Sequence, residues 1–154
     1  MHFPVPDGVE AAVRNHGAID AQDPAVISRL EEYKEGLVMV IRRLREHSPQ
    51  ATLAFSLTTP SPLDAIQKED LPDFTTCPHY NLFHPRGYVS ILNKVAEEVC
   101  KEHNVTLIDR YSVVLPSLGH YQKPCDVHFV EEGYQQLART DWETLSKLLG
   151  LPAS

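Results

Sequence analysis

An aspartate and a histidine two residues apart form the part of this sequence best suited to chemistry. Asp126 and His128 lie within residues 124–129 (PCDVHF), just before a predicted helix start at Glu131. A carboxylate beside an imidazole is the orienting acid and general base of a nucleophilic hydrolase site. We therefore interpret His128 as a candidate base that moves a proton, with Asp126 as the acid that holds its ring.

Both residues also have ordinary structural interpretations. His128 could cap the helix that follows it, and Asp126 could be an acid near the helix N-terminus, where the helix dipole favours negative charge. A metal site is a third alternative, with ligands drawn from Cys77, His79, His84, His120, Cys125 and His128. Their spacing matches no standard zinc pattern, so we expect neither a metal nor a cofactor.

The elements that must position these side chains follow from the apolar pattern. Helical periodicity predicts helices at residues 25–47, 87–103 and 131–149. Compact apolar runs predict strands at 11–14, 51–57 and 105–111, and loops are expected at 61–86 and 112–127. The predicted core positions are Tyr33, Leu37, Val40, Ile41, Leu44, Ile91, Leu92, Val95, Val99, Cys100, Tyr134, Leu137, Ala138, Leu145 and Leu148.

Strand and helix alternate three times in this prediction. That order is typical of βαβ units, in which a parallel sheet carries helices on its faces, so the fold class is α/β. Ligands of such sheets lie beyond the carboxyl ends of the strands. We therefore expect Asn15, the Thr58-Thr59 pair and the segment from Asp126 to His128 to share one neighbourhood. Residues 1–10 read as an irregular lead-in to a single domain over 11–150.

Four segments, in this order, resemble the SGNH (GDSL-type) hydrolases, a family of esterases, lipases and acetylesterases. They are residues 14–20 (RNHGAID), 57–62 (LTTPSP), 92–96 with 105–109 (LNKVA and VTLID), and 126–134, which contains DVHF and GY. The resemblance spans about residues 11–149 and implies a flavodoxin-like three-layer α/β/α sandwich. It also implies a substrate that is an ester of a small molecule, a carbohydrate or a lipid.

The resemblance also implies roles for individual residues. His128 matches the general base, Asp126 the acid beside it, and Asn15 an amide donor of the oxyanion hole. For Asn15 a turn residue is the alternative, because asparagine tolerates unusual backbone angles. The family's acid usually stands three residues before the histidine, where this chain has Cys125, and its glycine two residues before the asparagine is Val13 here.

The family's serine nucleophile has no counterpart in this sequence. It belongs to an early Gly-Asp-Ser block, yet none of the fourteen residues before Asn15 is a serine. We therefore expect an N-terminally truncated sandwich and an impaired ester hydrolase. The alternative is a non-catalytic pseudoenzyme or binding domain of the same fold. An unpaired strand edge would then favour self-association.

The composition of the chain argues against some classes of binding partner. The chain has 154 residues, 14 Lys+Arg and 21 Asp+Glu, for a net charge of −7. Such a balance disfavours nucleic acids and anionic membranes as main partners. Three cysteines do not suggest a disulfide framework. No apolar run is long enough to span a membrane and the N-terminus does not read as a secretion signal, so the prediction is a cytoplasmic protein.

Overall fold

The computed structural model describes residues 18–64, 85–124 and 126–152. The predicted strand at 11–14 and Asn15 lie outside these residues. The elements are α1 (Pro24–His47), β1 (Ala54–Ser56), α2 (Tyr88–Glu102), β2 (Thr106–Ile108), α3 (Arg110–Val114), α4 (Leu118–Tyr121) and α5 (Glu131–Leu149), with 3-10 turns at Pro62–Asp64 and Leu115–Ser117. The mixed α/β class is confirmed, and the described part of the sheet contains two parallel strands.

The three long helices agree with the sequence prediction to within one residue at each end. Local signals explain this agreement. Asp23 caps α1, because its side chain accepts the Ala25 N–H at 2.8 Å, and Pro24 suits the first turn. At the other end of the chain, α5 ends at Gly150, which adopts a left-handed conformation with φ of 64°.

The strands are shorter than predicted. β1 and β2 pair in parallel, with Phe55 opposite Leu107, and each contains three residues. The prediction of a loop over 112–127 was wrong, because α4 lies within it and α3 overlaps both its start and the end of the strand predicted at 105–111. The cause is Asp109, whose side chain accepts the Ser112 N–H at 2.9 Å and starts a helix directly after β2.

Of the apolar clusters among the described residues that hold these elements together, two are the largest. The larger one joins α1, α2 and the strands, through Leu37, Ile41, Leu57, Ala96, Val99, Cys100 and Val105. The second packs the short helices against α5, through Val114, Leu118, Phe129 and Leu137. Phe129 directly follows His128 and is only 4% exposed. Burial of this aromatic ring therefore anchors the candidate site to α5.

Several predicted core positions lie at the surface instead. Val40, Leu44 and Tyr134 are 50%, 47% and 47% exposed, and Ala138 is exposed as well. The inner side of α5 includes Thr140, which is buried. Its hydroxyl donates to the Gln136 carbonyl at 3.0 Å, so its polarity is satisfied within the helix. A pattern of apolar residues cannot identify a buried polar position such as Thr140.

None of the described helices combines the length and the apolar character needed to cross a membrane.

Candidate active site around Asp126 and His128

Asp126 and His128 are in direct contact. Nδ1 of His128 lies 2.6 Å from Oδ1 of Asp126, and the same oxygen accepts the His128 backbone N–H at 3.0 Å. A carboxylate can only accept, so the neutral imidazole carries its proton on Nδ1 and a lone pair on Nε2. The His128 side chain is 65% exposed, which leaves Nε2 open to solvent. This is the tautomer that a general base requires.

The same contacts lower the pKa of Asp126. The main cause is the hydrogen bond from the His128 backbone N–H, followed by the bond to the His128 ring. Both stabilise the carboxylate form of the aspartate. Asp126 therefore remains ionised at neutral pH and can hold the ring of His128 in one orientation.

A tight chain reversal holds the pair at its tip. The Lys123 N–H donates to the His128 carbonyl at 2.9 Å, and the Asp126 N–H donates to the Lys123 carbonyl at 3.2 Å. Gln122 and Phe129 close the reversal as an antiparallel bridge. The backbone on both sides of His128 is thus fixed by hydrogen bonds, which positions the ring before any substrate arrives.

The geometry does not match the two structural alternatives for this pair. The residue at the N-terminal cap of α5 is Val130, and no side chain caps that helix end. The acids of its first turn are Glu131 and Glu132, whereas Asp126 lies before the helix and bonds to His128. Asp126 and His128 interact mainly with each other.

The loop after β1 is joined to the chain reversal that contains Asp126 and His128. The side-chain amide of Gln122 donates to the Pro60 carbonyl at 3.2 Å. Thr58 is held in turn by Asn93, whose amide oxygen accepts its N–H at 3.0 Å and whose amide nitrogen donates to its carbonyl at 2.9 Å. The end of β1 and the Asp126–His128 segment therefore belong to one hydrogen-bonded region. Asn15 lies outside the described residues.

Asp64 is a supporting residue that the sequence analysis missed. One carboxylate oxygen accepts the Ser61 N–H at 2.8 Å, and the other accepts the Gly87 N–H at 2.8 Å. The carboxylate thereby ties the loop after β1 to the start of α2, where the helix dipole favours a negative charge. The three-residue spacing of Ser61 and Asp64 indicates a local turn, but no sequence signal indicates the long-range contact with Gly87.

No serine among the described residues is placed as a nucleophile for His128. Ser56 lies in β1, and its buried hydroxyl has no hydrogen-bond partner within the described part of the chain. Ser61 is only 5% exposed. No hydroxyl or thiol of a described residue bonds to Nε2 of His128. The arrangement therefore contains an imidazole and a carboxylate with the geometry of a base and its orienting acid, without an attacking group bonded to them among the described residues.

Two other kinds of site, a metal site and a ligand groove, have less support among the described residues. The described residues contain no cluster of three or more His, Cys, Asp or Glu side chains that could hold a metal ion. A groove of about 740 Å³ runs along α1, and all of its described lining residues belong to that helix. Its walls are mainly long charged side chains, which is typical of a solvated helix face. Asp126 and His128 are therefore the candidate centre whose geometry the structure describes best.

Comparison with known proteins gives no family assignment: no protein-family model matches the sequence, and no curated protein matches it.

Proposed function

We propose that this chain is an ester hydrolase domain of the SGNH type, built on a flavodoxin-like α/β/α sandwich. His128 is its general base, and Asp126 is the acid that orients the base. The observation that carries the proposal is the 2.6 Å contact between Nδ1 and Oδ1, made by an imidazole whose other nitrogen is open to solvent. This is the base–orienter half of a nucleophilic hydrolase site.

The chemistry follows from the lone pair on Nε2. His128 removes the proton from a serine hydroxyl as its oxygen attacks the ester carbonyl carbon. The tetrahedral intermediate collapses, the ester C–O bond breaks, and the imidazolium returns the proton to the leaving alcohol. Water then attacks the acyl-serine with His128 again as base. The bond between the acyl carbon and the serine oxygen breaks, the imidazolium returns the proton to the serine, and the acid is released. Asp126 stabilises the imidazolium in both halves of the reaction.

This site needs two further groups, a donor to the oxyanion and a serine nucleophile. The resemblance assigns Asn15 as a donor to the oxyanion, a contact worth about 3–4 kcal/mol in a working hydrolase. The serine must come from a segment that brings a hydroxyl to Nε2. Because His128 is 65% exposed, its electrostatic interactions are weakened by water until another surface covers it. We therefore expect low activity from these 154 residues alone.

The second candidate is a non-catalytic domain of the same fold. The observation that favours it is that no hydroxyl or thiol of a described residue bonds to the His128 ring, so the pair has no nucleophile within the part of the chain that the structure describes. In that case the Asp126–His128 pair would shape a binding surface for an ester-bearing small molecule, carbohydrate or lipid. Self-association through a sheet edge stays a prediction for either candidate.

A serine-directed fluorophosphonate probe separates the two candidates. Stoichiometric labelling of the wild-type chain that is lost in His128→Ala would exclude the non-catalytic domain. Absence of both labelling and turnover of short-chain p-nitrophenyl esters would exclude the hydrolase for this chain. His47→Ala, which removes an exposed histidine at the end of α1, is the matched control and should label like the wild type.

A further inference from the structure

We propose that Gln122 is a positioning residue that fixes His128 relative to the carboxyl end of β1. The inference rests on the proposed function, because it concerns the same base. Gln122 is only 6% exposed, although its side chain carries a polar amide. A buried amide is retained at little free-energy cost only where its hydrogen bonds are made, so its partners indicate what it holds together.

Those partners come from two separate loops. The amide nitrogen Nε2 donates to the Pro60 carbonyl at 3.2 Å and makes a longer contact of 3.5 Å with the Val127 carbonyl. Pro60 belongs to the segment after β1 and is buried, and Val127 lies between Asp126 and His128. One amide group thus joins the strand end to the peptide that carries the candidate base.

The backbone of Gln122 strengthens this link. Its N–H donates to the Leu118 carbonyl at 2.8 Å, so the residue continues directly from α4. It also pairs with Phe129 across the chain reversal. The position of Gln122 is therefore set by α4 on one side and by Phe129 on the other. This holds its side-chain amide within hydrogen-bond distance of the Pro60 carbonyl.

Loss of this amide would separate the segment after β1 from the chain reversal and loosen residues 123–128, while leaving the bond between Asp126 and His128 in place. The bond between Asp126 and His128 spans only two residues and does not pass through Gln122. The Pro60 carbonyl, by contrast, would lose the Gln122 donor. A purely structural role for Gln122 predicts a general loss of stability. A positioning role predicts a local change at residues 123–128 in the folded state.

The test is Gln122→Met, which keeps the length of the side chain and removes the donor. The matched control is Gln135→Met, since Gln135 is an exposed residue on α5 whose amide, among the described residues, bonds to Glu131 alone, at 3.1 Å. Amide hydrogen exchange is measured at Lys123, which donates to the His128 carbonyl, and at Leu57, which donates to Ile108. The ring ¹⁵N shifts of His128 are recorded on the same samples.

We expect exchange at Lys123 to accelerate roughly tenfold in Gln122→Met, with Leu57 unchanged and the His128 ring shifts still those of a single tautomer, because the bond to Asp126 does not pass through Gln122. Gln135→Met should match the wild type. Equal acceleration at Lys123 and Leu57, or no change at either residue, would overturn the inference. None of these readouts involves ester turnover, so a failed positioning role and a failed hydrolase proposal would be told apart.

Discussion

A Cβ atom placed on Gly133 would lie 2.5 Å from the carbonyl oxygen of Tyr121. The same oxygen accepts the Val130 N–H at 2.8 Å, so the first turn of α5 lies directly against the chain that precedes the candidate site. Glycine is needed here because the two backbones approach closely. This contact fixes where α5 begins relative to His128.

Gly133→Ala should lower the free energy of unfolding by about 1–3 kcal/mol, because the added methyl group must displace backbone rather than a flexible side chain. Urea denaturation measures the change. Gly36→Ala is the matched control, since nothing lies within 4 Å of a Cβ at that position in α1. The control should be neutral or stabilising by up to about 1 kcal/mol. Equal stability of Gly133→Ala and wild type would contradict the close approach.

Asn93 is expected to hold the end of β1. It is 3% exposed and exchanges two hydrogen bonds with the backbone of Thr58. Asn93→Ala leaves both Thr58 groups without this partner and should destabilise the fold by about 1–3 kcal/mol in thermal or urea unfolding. The exposed neighbour Lys94 provides the control, because Lys94→Ala should change stability by less than about 0.5 kcal/mol. Similar effects of the two substitutions would argue against this role.

The Arg110–Asp141 pair should stabilise the packing of α3 on α5. Nε and Nη2 of Arg110 donate to Oδ1 and Oδ2 of Asp141, and this bonding raises the pKa of Arg110. The side chains are only 34% and 23% exposed, so solvent screens them incompletely. A double-mutant cycle should give a coupling of about 1 kcal/mol.

Arg43 and Glu46 form the comparison pair for this cycle. Their side chains are 70% and 60% exposed, so their coupling should be near zero. A coupling for Arg110 and Asp141 no larger than that of the exposed pair would show that the bidentate contact contributes nothing measurable.

Asp126 should titrate below its ordinary value of 3.8. Its pKa is lower in the folded than in the unfolded chain, so its contribution to stability is present above the unfolded value and is lost as pH falls through the folded one. The Asp126 side chain is 38% exposed, so the contribution is small. The carboxyl ¹³C shift reports the titration midpoint.

His128→Gln should raise that midpoint only part of the way to the ordinary value. The largest cause of the lowered pKa is the backbone N–H of residue 128, and the substitution keeps it while removing the imidazole. A wild-type midpoint at or above the ordinary value would show that the two hydrogen bonds do not form in solution.

The sequence predicted those parts of the fold that local chemistry determines. Asp23 and Pro24 mark the start of α1, and Gly150 marks the end of α5, so the long helices were predicted closely. The short helix after β2 was missed because Asp109 was read as the continuation of a strand. An aspartate fits either pattern until its partner Ser112 is known.

The candidate site was only partly predictable for a related reason. Asp126 and His128 are close in sequence, so their contact could be expected from spacing alone. Gln122 bonds to Pro60 and Asp64 bonds to Gly87, and these partners are distant in the chain. Buried polar residues of this kind have the composition of surface residues, and only the tertiary fold distinguishes them.

Hydrolysis of p-nitrophenyl acetate by wild type and His128→Gln tests the role of His128 most directly. The p-nitrophenolate leaves readily, so this ester responds to a base with little help from an oxyanion hole. General base catalysis typically contributes about 10²–10⁴-fold in a complete site, and we predict at least roughly tenfold here. His47→Gln should match the wild type. Equal rates for wild type and His128→Gln, with both proteins folded, would contradict the assignment of His128 as the base.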